Sequence, residues 1–143
     1  MYWKKKTTGR SKSDLVKKLD RVFSKYIRLR DVMPNGYGKC ISCGRVKPFE
    51  ELDAGHYFSR THMATRFDED NVHAECRFCN RMSSDHLVDY RENLIQKIGR
   101  SRYDRLYLLA HSSKFWMDFE LEAMIKHYKE EVKRLSKEKG IHV

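Results

Sequence analysis

The chain has 143 residues, of which 40% are apolar, 12% aromatic and 35% charged. This length suits one domain, while the aromatic content argues against disorder and the charge against a membrane protein. No apolar run approaches the roughly 18 residues of a membrane span, and the first ten residues lack the apolar segment of a signal peptide. We therefore predict one domain over 1–143, with no membrane partner, in the cytoplasm.

Positive charge is concentrated in the N-terminal part of the chain. Residues 1–39 carry twelve Lys and Arg against three Asp and Glu, and the whole chain has a formal net charge of +10. Such a block is typical of proteins that bind phosphates, although it can also be a solvated surface. We predict a basic, flexible arm over 1–12 that follows a nucleic-acid backbone through Lys4, Lys5, Lys6, Arg10 and Lys12.

The first predicted element is an amphipathic helix over 13–31. Apolar residues recur along one helical face between Leu15 and Ile27, and Ser11 or Ser13 is placed to cap the helix N-terminus. Basic residues dominate the outer face. The sequence Pro34-Asn35-Gly36 then interrupts the chain before the first cysteine.

The segment 38–84 combines short apolar stretches, which suit a small hairpin, with four cysteines. The cysteines form two pairs, Cys40-x-x-Cys43 and Cys76-x-x-Cys79, with 44–75 between them. Two such pairs in an intracellular chain indicate one tetrahedral zinc site, the alternative being redox-active dithiols. Four thiolate ligands leave no open coordination position, so this Zn²⁺ would stabilise the structure and perform no chemistry.

The region 85–140 is predicted to be helical. A helix from Asp85 or His86 to Ile98 ends at Gly99, a short helix opens near Ser101, and a long one runs from Ser113 or Asp118 to Lys139. Two aromatic residues near the start of the last helix are predicted core or dimer contacts, namely Trp116 and Phe119. The expected fold class is α+β and mainly helical, with a zinc-bound centre between an N-terminal helix and C-terminal helices.

Three polar residues around the cysteine pairs carry a resemblance to known enzymes. His56 ends the first predicted strand, Asn71 precedes Cys76 by five residues, and Asn80 directly follows Cys79. This arrangement resembles the HNH, or ββα-metal, nucleases. The resemblance implies His56 as general base and Asn80 as ligand of a catalytic Mg²⁺ or Mn²⁺. It implies that Asn71 has a supporting role, orienting either the loop or the His56 ring by hydrogen bonding. The alternatives are a structural histidine at 56 and a helix-capping asparagine at 80.

The second ligand of a catalytic ion is left open by the sequence. Many HNH sites have Asp immediately before the catalytic His, whereas Gly55 stands there in this chain. Asp53 lies on the same face of a regular strand as Gly55 and could replace that ligand if the strand bulges. His73 is the other candidate, with a buried, hydrogen-bonded histidine as the alternative interpretation.

A more specific resemblance rests on longer runs. The chain contains Asp53-Ala54-Gly55-His56-Tyr57, Arg66-Phe67-Asp68-Glu69, Asn71-Val72-His73 and the pattern Leu87-Val88-x-Tyr90-Arg91-x-x-Leu94-Ile95-x-x-Ile98-Gly99. Over about 15–135 it resembles the phage lambda NinG (Rap) recombination family. The resemblance implies a phage or prophage endonuclease acting in the bacterial host on branched DNA such as Holliday junctions and D-loops.

Within that family frame, Arg66 and Arg91 become candidate phosphate contacts, because a guanidinium can hold a phosphate through two hydrogen bonds. Surface salt bridges are the alternative for both. The two-fold symmetry of a junction also suggests a homodimer. Two other functions stay open: a non-catalytic zinc-containing accessory protein that binds branched DNA, and a sequence-specific HNH endonuclease.

Overall fold

A computed structural model describes residues 11–143 of the chain. The predicted DNA contacts of Lys4, Lys5, Lys6 and Arg10 lie outside the described residues. Within the described residues, the helices are α1 (Lys12–Asp31), α2 (Arg77–Arg81), α3 (His86–Ile98), α4 (Arg100–Ala110) and α5 (Asp118–Lys139). The strands are β1 (Tyr37–Lys39), β2 (Val46–Pro48), β3 (Leu52–His56) and β4 (Val72–Cys76).

Helix α1 begins one residue before the predicted start. The Ser11 hydroxyl accepts a hydrogen bond from the Asp14 N–H at 3.2 Å, which is the expected N-cap interaction. Lys12 therefore belongs to the helix, and its ammonium lies 2.9 Å from the Asp118 carboxylate at the start of α5. This corrects the prediction that Lys12 is part of a flexible arm, because its salt bridge links the start of α1 to the start of α5.

The strands form two separate antiparallel pairs. β1 pairs with β2, and β3 pairs with β4 in a register that sets Asp53 opposite Glu75 and Gly55 opposite His73. Helix α2 follows β4 without a break. The chain thus has the order strand, strand, helix that was expected for its centre.

Two apolar cores hold these elements in place. In the first, α1 and α5 pack together and cover one face of the β3–β4 pair, through Leu19, Phe23, Ile27, Leu52, Val72, Ala74, Leu121 and Ile125. In the second, α3 and α4 pack on Ile41 beside the first cysteine pair, through Tyr90, Leu94, Ile98, Tyr103 and Leu106. Hydrogen bonds join the second core to the β3–β4 pair, from the Tyr90 hydroxyl to the Gly55 carbonyl at 2.6 Å and from the Ile41 N–H to the Ala74 carbonyl at 3.0 Å.

The C-terminal helices follow the predicted boundaries closely. α3 ends at Gly99 and α5 at Gly140, whose φ angles of +90° and +67° suit glycine, while α4 starts one residue before Ser101. Trp116 packs at the edge of the first core, as predicted. Phe119 is 69% exposed, so it is not a core residue, and the alternative of a dimer contact stays a prediction. No described helix has the combination of length and apolar character that a membrane crossing requires.

Candidate functional site

The four cysteines converge on one point. Their sulfur atoms all lie within 4.8 Å of one another, and Cys43 Sγ is 3.8 Å from Cys76 Sγ. A tetrahedral zinc ion with Zn–S bonds of about 2.3 Å requires sulfur separations of about 3.8 Å. The cluster therefore fits a metal ion such as zinc, as the sequence predicted.

The local structure explains this convergence. The turn between β1 and β2 carries Cys40 and Cys43, and Gly44 with φ +78° closes that turn through its N–H to the Cys40 carbonyl at 3.0 Å. Cys76 ends β4, and Cys79 lies in α2. A metal ion there would join the β1–β2 hairpin to the junction between β4 and α2.

Beside the cluster lies a cavity of about 550 Å³ where α1, β3, α2 and the start of α3 meet. We call it the His56 cavity. Three predicted site residues line it, namely Asp53, His56 and Asn80, and they are accompanied by residues that the sequence analysis did not select, including Asp20, Arg60, Arg81 and His86. The fold thus brings together polar groups from four elements.

His56 is held by one hydrogen bond that defines its tautomer. Its Nε2 lies 2.9 Å from the Arg66 carbonyl oxygen, which can only accept, so Nε2 carries the proton and Nδ1 is the basic nitrogen of the neutral ring. Burial lowers the pKa of His56 below its ordinary value. The ring is therefore neutral near pH 7, and Nδ1 is ready to accept a proton.

The Arg66 side chain is hydrogen-bonded to other groups of the protein. Its guanidinium forms two hydrogen bonds to the Asp20 carboxylate of α1, at 2.5 and 3.1 Å, and a third to the Arg60 carbonyl. This corrects the prediction of Arg66 as a phosphate contact, because its donors already have partners. The pair instead fixes the segment whose backbone carbonyl orients His56.

Asn71 is fully buried and ties down the segment between β3 and β4. Its amide donates to the carbonyls of Phe58 and Thr65, and its carbonyl oxygen accepts the Phe58 N–H at 2.8 Å. Asn71 therefore orients this segment by hydrogen bonding, which is one of the two supporting roles predicted for it. The structure gives no hydrogen bond between Asn71 and the His56 ring.

Asp53 and Asn80 contact each other at the wall of the cavity. The Asn80 side-chain N–H donates to Asp53 Oδ2 at 3.0 Å, so the Asn80 oxygen is its remaining acceptor. Arg81 holds both oxygens of the same carboxylate at 2.8 Å. The two predicted ligands of a catalytic ion are thus adjacent, and a guanidinium neutralises the carboxylate.

His73 lies away from the cavity. Its Nε2 is bonded to the Asp70 carbonyl at 3.0 Å, and its Nδ1 lies 3.1 Å from the Arg30 guanidinium. The ring is 2% exposed. The prediction of His73 as a catalytic metal ligand was wrong, because both ring nitrogens already have partners, and the alternative of a buried, hydrogen-bonded histidine is correct.

Arg91 has a different setting from Arg66. Its side chain is exposed, and its Nε donates to the Tyr103 hydroxyl at 3.1 Å. That hydroxyl lies 3.3 Å from the hydroxyl of Tyr57, a residue that lines the cavity. Among the described residues Arg91 forms no salt bridge, and its side chain is exposed to solvent.

Among the residues that sequence reasoning missed, Glu75 and His86 form a pair. Glu75 is completely buried on β4, and its Oε2 lies 2.6 Å from His86 Nδ1 at the first turn of α3. A charged residue within a strand of buried residues was a visible signal for Glu75. Nothing in the sequence indicated that His86, eleven residues later, would be its partner.

Fold and site together define a class of protein: a small α+β chain in which a four-cysteine metal site supports a polar cavity. Comparison with known sequences identifies the family. The model of the family described as Bacteriophage Lambda NinG protein matches residues 1–138, and the chain belongs to that family.

Individual relatives agree with this assignment. Protein ninG of Escherichia phage 933W is 35% identical over 135 residues, which are 92% of this chain and 63% of that protein. The proteins of the same name from Salmonella phage P22 and Escherichia phage lambda are 35% and 34% identical over 92% of this chain. The chain spans about 62% of the length of those two relatives. No solved structure matches the chain significantly.

Proposed function

We propose that this chain is a metal-dependent endonuclease that cuts branched DNA during phage recombination. The observation that carries the proposal is the setting of His56, whose neutral ring has a fixed tautomer and lines an open polar cavity beside Asp53 and Asn80. A phosphodiester-cleaving site needs a base for water and positive charge for the phosphate. The cavity contains residues suited to both tasks.

In the proposed reaction, His56 Nδ1 takes a proton from a water molecule that attacks the phosphorus in line. The Arg66 carbonyl holds the ring during this transfer, since Nε2–H has no other role, and the charge that develops on the ring is shared with that hydrogen bond. The products would carry a 5′ phosphate and a 3′ hydroxyl, as the family resemblance implies.

The donor set of the cavity fits a divalent cation. Asp53 offers a carboxylate and Asn80 an amide oxygen, which are the ligands that Mg²⁺ and Mn²⁺ prefer. A bound ion would supply positive charge to the phosphate and to the departing 3′ oxygen. Arg81 would have to release Asp53, and its guanidinium is 58% exposed, so it is free to turn towards a phosphate.

Charge supports DNA as the partner. The chain has a formal net charge of +10, and the exposed Arg91 is linked through the Tyr103 hydroxyl to Tyr57, which lines the cavity. A branched substrate and a homodimer matched to its symmetry remain predictions. The pairing of Asp53 with Arg81 specifically favours the alternative, a non-catalytic accessory protein that binds branched DNA, because it leaves the carboxylate neutralised.

The test is cleavage of a labelled four-way junction, with a linear duplex of the same sequence as the comparison, in Mg²⁺ or Mn²⁺. We expect the wild type to cut the junction and His56→Ala to lose about 10²–10⁴-fold in rate. The matched control is His142→Ala, which replaces an exposed histidine and should cut like the wild type. Junction binding without cutting by the wild type would support the accessory protein, and cutting of the duplex at one sequence would support a sequence-specific HNH endonuclease.

The pH profile tests the role of His56 separately. Because burial lowers its pKa, the ring stays neutral through pH 7, and the cleavage rate should fall only below about pH 6.5. The rate should then drop about tenfold for each pH unit. The same fall in the residual rate of His56→Ala would exclude His56 as the group whose protonation lowers the rate.

A further inference from the structure

Glu75 is a buried carboxylate with an incomplete set of partners. It is 0% exposed, and its Oε2 accepts hydrogen bonds from the Ser42 hydroxyl and the His86 Nδ1. Its other oxygen, Oε1, has no hydrogen-bond partner among the described residues. Burial of a carboxylate is costly unless its charge and its lone pairs are satisfied. This residue therefore calls for an explanation beyond packing.

A glycine on the neighbouring strand leaves space for the Glu75 carboxylate. A Cβ on Gly55, which lies diagonally across from Glu75 on β3, would overlap Oε1 of Glu75. Gly55 occupies the position before His56 at which many HNH sites have an aspartate. The space that an aspartate side chain at 55 would enter is filled by Glu75 from the neighbouring strand.

Charge pairing sets Glu75 apart from the other acidic groups around the cavity. Asp20 is paired with Arg66, and Asp53 with Arg81. Glu75 has no Lys or Arg salt-bridge partner among the described residues, and His86, which donates a hydrogen bond to its Oε2, carries no charge in its neutral form. A cation on the far side of the His86 ring would balance the remaining charge.

His86 is oriented to hold such a cation. Because Nδ1 donates to the Glu75 carboxylate, Nε2 of the neutral ring is an acceptor, and the side chain lines the His56 cavity. Histidines that bind metals almost always donate their other N–H to a carboxylate or carbonyl in this way, which fixes the ring and increases its basicity. The Ser42 hydroxyl donates to the same oxygen of Glu75, so Ser42, Glu75 and His86 are connected by hydrogen bonds.

We propose that His86 Nε2 is a ligand of the divalent cation of the His56 cavity and that Glu75 and Ser42 position its ring. This inference deepens the proposed nuclease function and rests on it, because the ion's role is the one proposed in DNA cleavage. Imidazole is a ligand of first-row transition metals, whereas Mg²⁺ is suited by carboxylate, carbonyl and water oxygens. The cavity should therefore bind Mn²⁺ in preference to Mg²⁺. The Asp53 carboxylate and the Asn80 amide oxygen would be the other ligands.

The experiment measures binding without DNA and without turnover. Zinc-loaded full chain is titrated with Mn²⁺, while NMR follows the ¹⁵N-coupled ring signals of the histidines. We expect the free protein to show His86 as the Nδ1–H tautomer, and substoichiometric Mn²⁺ to broaden His86 ring signals before those of His142. Sharp His86 signals alongside broadened signals elsewhere would overturn the assignment.

Variants give the second readout, the Mn²⁺ affinity. His86→Ala should lower it at least tenfold, and Glu75→Gln, which keeps the shape but removes the charge, should lower it about 10–100-fold. His142→Ala is the matched control and should bind like the wild type. Because Glu75 neighbours Cys76, zinc content and the melting temperature of each variant are measured first, and Ser42→Ala provides a milder change at the same carboxylate.

The two proposals can fail separately. Equal Mn²⁺ affinity of the wild type and folded His86→Ala would overturn the role of His86 and leave the nuclease proposal to the junction assay. Mn²⁺ bound at His86 in a protein that cuts no DNA would support the ligand assignment and refute the nuclease.

Discussion

The four-cysteine cluster and the His56 cavity both use residues of α2, yet the two sites are assembled differently. The cluster draws its ligands from two short motifs, and its sulfur atoms lie within 4.8 Å of one another. The cavity draws on α1, β3, α2 and α3, and its carboxylates are held by arginines. The first arrangement is closed and suits a structural ion, whereas the second is open and suits exchange of a ligand.

The largest expected effect comes from breaking the cluster. Cys40→Ser should remove a buried ligand, and structural zinc contributes roughly 10–16 kcal/mol in small zinc domains, which exceeds or equals the total stability of a typical domain. We expect loss of bound zinc and of the cooperative thermal transition, measured by metal analysis and circular dichroism. His56→Ala is the matched control from the cavity. If Cys40→Ser melts like the wild type, the cluster is not structural.

The next effect is acid destabilisation through buried neutral histidines. Burial lowers the pKa of His73 to about 3 and also lowers that of His56, while both rings titrate near 6.5 in the unfolded chain. Below pH 6.5 the unfolded chain binds more protons, so stability is complete above that pH and falls as the pH decreases towards 3. Urea midpoints at pH 7, 6 and 5 measure this decrease.

The control for the acid effect is His73→Gln with zinc bound. This variant should be less stable at pH 7, because the Arg30 contact changes, but its stability should fall less between pH 7 and pH 5 than that of the wild type. Parallel decreases in the two proteins would show that other groups, and not His73, cause the acid sensitivity.

A smaller effect is expected from closing the space above Gly55. Gly55→Ala should force the Glu75 carboxylate to move, and overpacking of this kind costs about 1–3 kcal/mol, or several degrees in melting temperature for a chain of this length. Combination with Glu75→Ala should cost less than the sum of the single changes, because the overlapping group is absent. Additive losses would show that the two residues do not interact.

The smallest expected effect distinguishes the role of Arg91 in DNA binding from the structural role of Arg66. Arg91→Ala should weaken binding to any DNA a few-fold and reduce the slope of log affinity against log salt by about one, as expected for one phosphate contact. Arg66→Ala should leave that slope unchanged but lower the melting temperature, because it breaks the pair with Asp20. The same slope for Arg91→Ala and the wild type would exclude Arg91 from the interface.

The sequence predicted the elements best where the signal was local. The periodicity of α1, the cap at Ser11 and the glycines after α3 and α5 gave boundaries within about one residue of those observed. It also predicted the convergence of the four cysteines, because each pair is a short motif and two pairs suffice for one ion. These features depend on neighbours along the chain.

Long-range partners could not be predicted in this way. The same pattern allowed His73 and Arg66 as site residues, yet His73 is bonded to Arg30 and the Asp70 carbonyl, and Arg66 to Asp20. Equally, only packing of α3 against the sheet brings His86 to Glu75.

The amino-acid sequence by itself therefore determined the helices, the cysteine cluster and the family, because these depend on periodicity, spacing and residue identity. Only the tertiary structure decided which polar side chains are consumed by internal partners and which line the cavity. The physical reason is that a buried polar group must be paired, and its partner is chosen by the packing of elements that are distant in sequence.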